Sequence, residues 1–402
     1  MSKRLLTSDD ILHQNDEDSV QKKFMSSRLL SLEEIRNTIK QGDFFKLTEF
    51  IDDGRQFNKK HKCHKYFYYS CEFGQLDCAR LLLTRVQERR LYLDTEKALI
   101  NATKLGHIEI VKLIINSAIQ PISKYSQYSA FCHACRCGHL EMVKLLQSHY
   151  NFDINMRLKT ISQSCRVYRI ISHYSSPLVD ACEGGSLEVV RFLIDIGARV
   201  VAAGTHKIPL NLACTKGHVD IVRELLINLF EQFERDEVIT DILPSALIEA
   251  VDMGHNKMVQ LLIDSGADVN IPVQEEGQTG ETALHRACES SRISTARILL
   301  ECGADVNSIG QGNMYILHSL FGMKESECIE MIKLLFEYNV NVDVICADTG
   351  HTALRKAYDI LYTECIHALL AYGADVNLAD QIRITPLMQA CMAKTRRLYD
   401  CY

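Results

Sequence analysis

The chain has 402 residues, 47% of them hydrophobic and 24% charged. That suits two or three compact domains or one elongated array with a substantial core. Its 45 basic and 51 acidic residues are mixed along the sequence and leave a net charge of −6, so the concentrated basic face required by nucleic-acid binding is absent from the pattern.

Residues 1–30 are polar and aperiodic and read as a disordered tail. The opening MSKRLLTSDDILHQNDEDSV turns acidic before the apolar core of a secretory signal forms. No stretch approaches the roughly 18 apolar residues of a membrane span. The sixteen cysteines are therefore expected as reduced thiols in the cytoplasm, with the nucleus as a second location.

From residue 31 the chain repeats itself. SLEEIRNTIKQGDFFKLTEFIDDG (31–54) has a helix-turn-helix pattern suited to an N-terminal cap. The frame continues in HKYFYYSCEFGQLDCARLLL (64–83), EKALINATKLGHIEIVKLI (96–114), YSAFCHACRCGHLEMVKLL (128–146) and SSPLVDACEGGSLEVVRFLIDIGARV (175–200). It returns in KIPLNLACTKGHVDIVRELL (207–226), PSALIEAVDMGHNKMVQLLIDSGADVN (244–270), GETALHRACESSRISTARILLECGADVN (280–307) and GHTALRKAYDILYTECIHALLAYGADVN (350–377). ITPLMQACMAKTRRLYDCY (384–402) starts one more copy and stops within its second helix. Each copy predicts a short first helix, a Gly-centred turn with a left-handed cap, and a longer amphipathic helix. A single unit cannot bury its own apolar face, so neighbours must stack.

These motifs, recurring at a period of roughly 33 residues, resemble the ankyrin repeat. The resemblance rests on the T-x-L-H start, the G-H turn, the V-V-K-L-L second helix and the G-A-D-V-N lead-in, and covers nearly all of 31–402. It implies an all-α repeat solenoid of helix-turn-helix units with short β-hairpin or loop fingers, about ten units plus an incomplete C-terminal one. Extra residues enter at 155–174, 228–243 and 322–327. The first two are expected in inter-repeat hairpins and the third between the helices of one repeat.

AFCHACRCGH (130–139) brings Cys132, His133, Cys135, Cys137 and His139 together like soft-metal ligands, and HKCHKY (61–66) has a similar metal-like composition. Superposing the copies puts Cys71, Cys135, Cys182, Cys214, Cys288 and Cys391 at one slot, the last small residue of the first helix. There cysteine acts as a small buried hydrophobe. Thiols one repeat apart, ~10 Å, cannot share a zinc ion whose ligands sit at about 2.0–2.3 Å. The expectation is no metal, no cofactor and no catalytic residue. No phosphate-binding loop, nucleophile elbow or HExxH is present. The resemblance also implies that Thr282 and His285 hydrogen-bond locally, a structural role.

In the family that this chain resembles, partners bind on a concave face, and the two positions before the turn glycine project there. They select Glu72, Phe73, Lys104, Leu105, Arg136, Glu183, Lys216, Asp252, Met253, Glu289, Met323, Asp359 and Ile360 as candidate partner-binding residues. Large apolar groups at several of these places suit either an interface or a lean onto the next repeat. Charge runs from basic at Lys104 and Arg136 to acidic further on. Asn270, Asn307 and Asn377, each with a leucine eight residues earlier, resemble ankyrin asparagines that an oxygenase hydroxylates. The functional expectation is a monomeric, non-enzymatic scaffold or adaptor for a protein or peptide, without nucleic acid or membrane insertion. The alternative is a recruiting or regulatory arm of a larger enzyme (such as a ubiquitin ligase), a channel or a pathogen effector.

Overall fold

The computed structural model describes residues 31–52, 62–117, 119–156, 158–159, 174–201, 208–273, 280–310, 314–347, 350–379, 383–388 and 391. The expected tail, the middle of the 155–174 insertion and most of the final partial copy lie outside them. Two compact units are present, the first ending at Phe152 and the second beginning at Asp153.

The first unit is four helix pairs: α1 (Leu32–Gln41) with α2 (Phe44–Asp52), α3 (Lys62–Glu72) with α4 (Leu76–Glu88), α5 (Thr95–Lys104) with α6 (Ile108–Ser117), and α7 (Lys124–Cys137) with α8 (Leu140–Tyr150). First helices pack on first helices and second on second, α3 on α5, α5 on α7 and α4 on α6. Ser31 opens α1 with a full capping box: its hydroxyl accepts from the Glu34 amide, and Glu34 accepts from the Ser31 amide. Ile35, Ile39, Leu47, Leu82, Leu99, Val111, Phe131 and Val143 make a continuous core.

The second unit opens with a two-residue antiparallel ladder, β1 (Leu158–Lys159) on β2 (Tyr174–Ser175). Helix pairs α9 (Pro177–Gly184) with α10 (Leu187–Asp195) and α11 (Ile208–Lys216) with α12 (Val219–Gln232) follow. Short α13 (Arg235–Glu237) and a π-helical stretch (Val238–Ile242) run into α14 (Leu243–Met253), which pairs with α15 (Asn256–Asp264). Then come α16 (Ala283–Glu289) with α17 (Ile293–Glu301), α18 (Ile316–Ser319) with α19 (Glu325–Glu337), and α20 (Ala353–Ile360) with α21 (Thr363–Ala371). Isolated bridges Val273–Glu281, Ile309–Tyr315 and Ile345–Thr352 close three fingers.

One insertion differs from expectation. The 228–243 segment forms no hairpin; it lengthens α12 and adds helix before α14. It carries no Gly-Ala-Asp stop signal, and its apolar residues Leu229, Val238 and Ile242 are all buried. At 322–327 the first helix is cut to one turn, continues as a 3-10 segment (Leu320–Gly322), and passes its surplus to the thirteen-residue α19.

A side-chain ladder joins successive turns. Gly74 and Gly185 have φ of +70° and +83°, where a side chain is strained. Against each lies an imidazole from the next copy: His107 and His218 would stand 2.7 and 2.5 Å from an added Cβ. The imidazole also donates to the turn's backbone, from His107 to the Glu72 carbonyl (3.4 Å), His139 to Lys104 (3.2 Å) and His255 to Thr215 (3.2 Å). Gln75 and Arg292 do the same for the Lys40 and Asp252 carbonyls.

Fingers are tied separately. The Asn270 amide donates to the Gly303 carbonyl (3.0 Å) while its oxygen accepts from the Asp305 amide (2.8 Å); Asn307 accepts from Asn341. Beneath them, the Thr282 hydroxyl and His285 Nδ1 are 2.8 Å apart, and His318 Nε2 donates to the His351 carbonyl (2.8 Å).

Gly185→Ala combines left-handed strain with a collision against His218, whereas Gly303→Ala, at φ +88° with nothing within 4 Å, meets strain alone. Thermal unfolding should show a loss of about 1 kcal/mol for Gly303→Ala and about 2–4 for Gly185→Ala; equal losses would remove the imidazole contact from the account. Burial holds His285 and His318 down at about 4, against an ordinary 6.5. Both stay neutral when folded but take protons when unfolded below 6.5. Their stabilisation is therefore complete above pH 6.5 and falls away toward pH 4, by about 3 kcal/mol each. His318→Gln should flatten that part of the stability–pH curve; an unchanged slope would contradict the assignment.

Candidate partner-binding surface

The candidate residues end the first helices, immediately before the turns that the ladder holds. In the first unit, Lys104 and Arg136 are exposed and Leu105 is 47% exposed. Phe73 is half-buried beneath cations, with the Arg36 guanidinium 5.5 Å and the Lys40 ammonium 6.0 Å from its ring centre. Arg36 also lies 5.2 Å from the Tyr69 ring and 3.4 Å from the Glu72 carboxylate, so Glu72 is already paired. His133 sits beside this row. Burial first, then the charges of Lys104 and Arg136, push it down to about 4, so the imidazole is neutral in a positive field.

The second unit is acidic at the same places. Arg286 grips Asp252 with two bonds (3.2 and 2.7 Å) and lies 3.5 Å from Glu281 and 3.7 Å from Glu289. Hydrogen bonding to Asp252 raises its already high pKa. Burial and the neighbouring Glu281 and Asp252 charges outweigh Arg286 and raise Glu289. Glu183 and Lys216 project from α9 and α11, Lys216 exposed. Met253 is 39% and Ile360 37% exposed, whereas Asp359 is engaged by Arg355 (3.4 Å) and His351 (3.7 Å). Met323 differs: it is 8% exposed, because the shortened α18 turns the chain inward there, and its carbonyl accepts from the Tyr362 hydroxyl (2.7 Å).

Sequence reading passed over Arg36, Tyr69, Glu249 and Glu281. Glu249, which accepts from the Thr215 hydroxyl (3.0 Å), lies three residues before Asp252, as Arg286, Tyr69 and His133 lie before Glu289, Glu72 and Arg136. That position, one turn before the pair chosen, is the signal that was available. Ile309 and Ile345, both exposed, belong to fingers and had no comparable pattern.

The cysteine-rich stretch is dispersed by its helix: Cys132 and Cys135 are buried, Cys137 is exposed, and no group of three metal-ligating side chains occurs among the described residues. Of the shared slot, Cys71, Cys135, Cys182, Cys214 and Cys288 are buried and Cys391 is exposed. Burial pushes the Cys71, Cys182, Cys214 and Cys288 thiols up, away from a reactive thiolate. Within HKCHKY, Cys63 lies 3.8 Å from the Tyr92 carbonyl and His64 Nδ1 accepts from the Asp94 amide (2.8 Å); His61 lies outside the described residues.

The family model for ankyrin repeats matches three times, over residues 67–157, 163–236 and 233–309, more than half of the chain. The chain belongs to the ankyrin-repeat family. An ankyrin repeat domain-containing protein of Stachybotrys chartarum is 29% identical over 51% of this chain and 12% of its own length. The mouse B-cell lymphoma 3 protein homolog is 28% identical over 35% of this chain and 30% of its own. A fowlpox virus ankyrin repeat protein is 25% identical over 56% and 35%. The chain thus spans at most about a third of these relatives. Ankyrin repeats generally mediate protein–protein interaction. No helix among the described residues is long and apolar enough to cross a membrane.

Proposed function

We propose that this ankyrin-repeat chain is a non-enzymatic adaptor that binds a protein or peptide on the face lined by its first-helix ends and fingers. The observation carrying this reading is the exposure of apolar side chains within each unit, Leu105 in the first and Met253 and Ile360 in the second, with Leu105 and Met253 next to carbonyls bonded by the following repeat. Apolar groups ringed by charge are what interface centres present. The adaptor acts as a monomer in the cytoplasm or nucleus, and nucleic acid is not its ligand. Because the chain spans only 12–35% of the length of the three relatives compared, a second reading is kept: the array is the recruiting arm of a larger enzyme, channel or effector.

Phe73→Lys combined with Met253→Lys should abolish partner capture from lysate of the native host while leaving the melting transition within a few degrees of wild type. Capture unchanged in the folded double variant would sink the reading.

A separate proposal concerns hydroxylation of Asn270, Asn307 and Asn377. The leucines eight residues earlier, Leu262, Leu299 and Leu369, are fully buried, so an oxygenase would meet the whole motif only on an opened repeat. Intact-mass measurement of protein from its native host should show added oxygen; its absence under iron- and oxygen-replete conditions refutes the modification.

A further inference from the structure

Cysteine fills the small slot at the end of several first helices, but Cys328 and Cys365 lie on neighbouring second helices. Cys365 is the third residue of α21. It follows Tyr362 by three residues, as Ile110, Met142, Ile221 and Met258 follow His107, His139, His218 and His255. Those four are large, apolar and buried, so cysteine underfills this place and packing does not account for it. Cys78 shares the place in the second repeat, but there burial pushes the thiol up, with the Asp77 and Asp43 charges adding to it. What sets Cys365 apart is its neighbour. Cys328 is the fourth residue of α19, in the extra turn by which that helix exceeds α21, thirteen residues against nine.

The two thiols hydrogen-bond to each other where α19 packs on α21. Cys365 Sγ also lies 3.9 Å from the Glu325 carbonyl, and the Glu325 carboxylate accepts from the Glu364 amide (2.8 Å). Both thiols are free and buried. The bond from Cys328 holds the Cys365 pKa down and raises that of Cys328, whereas burial drives Cys71, Cys182, Cys214 and Cys288 up. One thiol of the pair is thus set up as a nucleophile, and the other keeps its proton.

From this placement we propose that Cys328 and Cys365 form a dithiol oxidised by peroxide to a disulfide that staples α19 to α21. The proposal goes beyond the adaptor reading and does not depend on it. The Cys365 thiolate attacks one peroxide oxygen: the S–O bond forms, the O–O bond breaks, and the departing hydroxide takes up the proton that Cys365 released. The Cys328 sulfur then attacks the sulfenic sulfur. The S–S bond forms, the S–O bond breaks, and hydroxide leaves with the Cys328 proton as a second water. Two electrons pass from the thiols to the peroxide. Because both sulfurs are buried, peroxide enters when the α19–α21 seam opens locally, and the new bond then holds that seam shut. In a reducing compartment such a bond is transient and reversible.

The test exposes the full reduced chain to hydrogen peroxide, blocks remaining thiols with N-ethylmaleimide in denaturant, and maps tryptic peptides without reduction. A cross-link between the peptides holding Cys328 and Cys365 should be at least tenfold more abundant than any other and should disappear with dithiothreitol. Hydrogen exchange of the α21 amides should slow at least tenfold in the oxidised chain. Cys328→Ser should leave Cys365 as a sulfenic acid that dimedone captures, and Cys365→Ser should leave Cys328 unlabelled. Should a serine variant lose stability, the map of the unaltered chain decides alone. Recovery of both thiols in the blocked form overturns the proposal, as does a bond from Cys328 to Cys288, whose charge Cys328 also feels. Dimedone on Cys328 instead of Cys365 overturns the choice of attacking thiol, and unchanged exchange overturns the staple.

Discussion

Six turns among the described residues, at Gly42, Gly74, Gly106, Gly185, Gly217 and Gly254, are packed against a side chain that belongs to the next copy. A glycine in the left-handed region leaves no Cβ, and the vacated space accepts an imidazole, or Gln75 or Arg292, that donates to the carbonyl two residues before it. The bond satisfies a helix-end carbonyl that would otherwise need water, and it does so between repeats, not within one. Burial of the apolar helix faces supplies most of the driving force in such stacks. The imidazole contact fixes where each helix pair stops relative to the one before it.

That contact also separates structure from recognition at atomic resolution. The carbonyls bonded are those of Lys40, Glu72, Lys104, Thr215 and Asp252. Their backbones are pinned whatever the side chain: Lys40 and Lys104 are exposed, whereas Glu72 and Asp252 are paired with Arg36 and Arg286 of neighbouring repeats. The same backbone bond therefore forms with lysine, glutamate, threonine or aspartate at this place. Preorganised backbone lowers the ordering cost of binding, so a few exposed groups suffice.

Much of this was legible in the sequence because the repeat multiplies every signal. A single Gly-His pair says little, but Gly106-His107, Gly138-His139, Gly217-His218 and Gly254-His255 in one frame define the turn, the helix on either side and the slot that cysteine fills. The legible part ended where the repeat did. The 228–243 segment lacks the Gly-Ala-Asp stop, and without it helix-forming residues continued as helix through a π-helical stretch (Val238–Ile242). Met323 took its place from a neighbouring helix one turn long, a length that the pattern did not encode. The cation–aromatic contacts of Arg36 join residues 33 to 37 apart, and nothing local marks such a pair.

Because every link in the ladder is made to an adjacent copy, the natural unit of change is the whole period. Removing one complete helix pair joins two turns whose glycine and imidazole still match, whereas removing half a pair exposes two apolar faces and strands a carbonyl. Lineages of such chains are thus free to drift in length by full copies, carrying their surface side chains along as interchangeable cassettes, while fractional losses are purged.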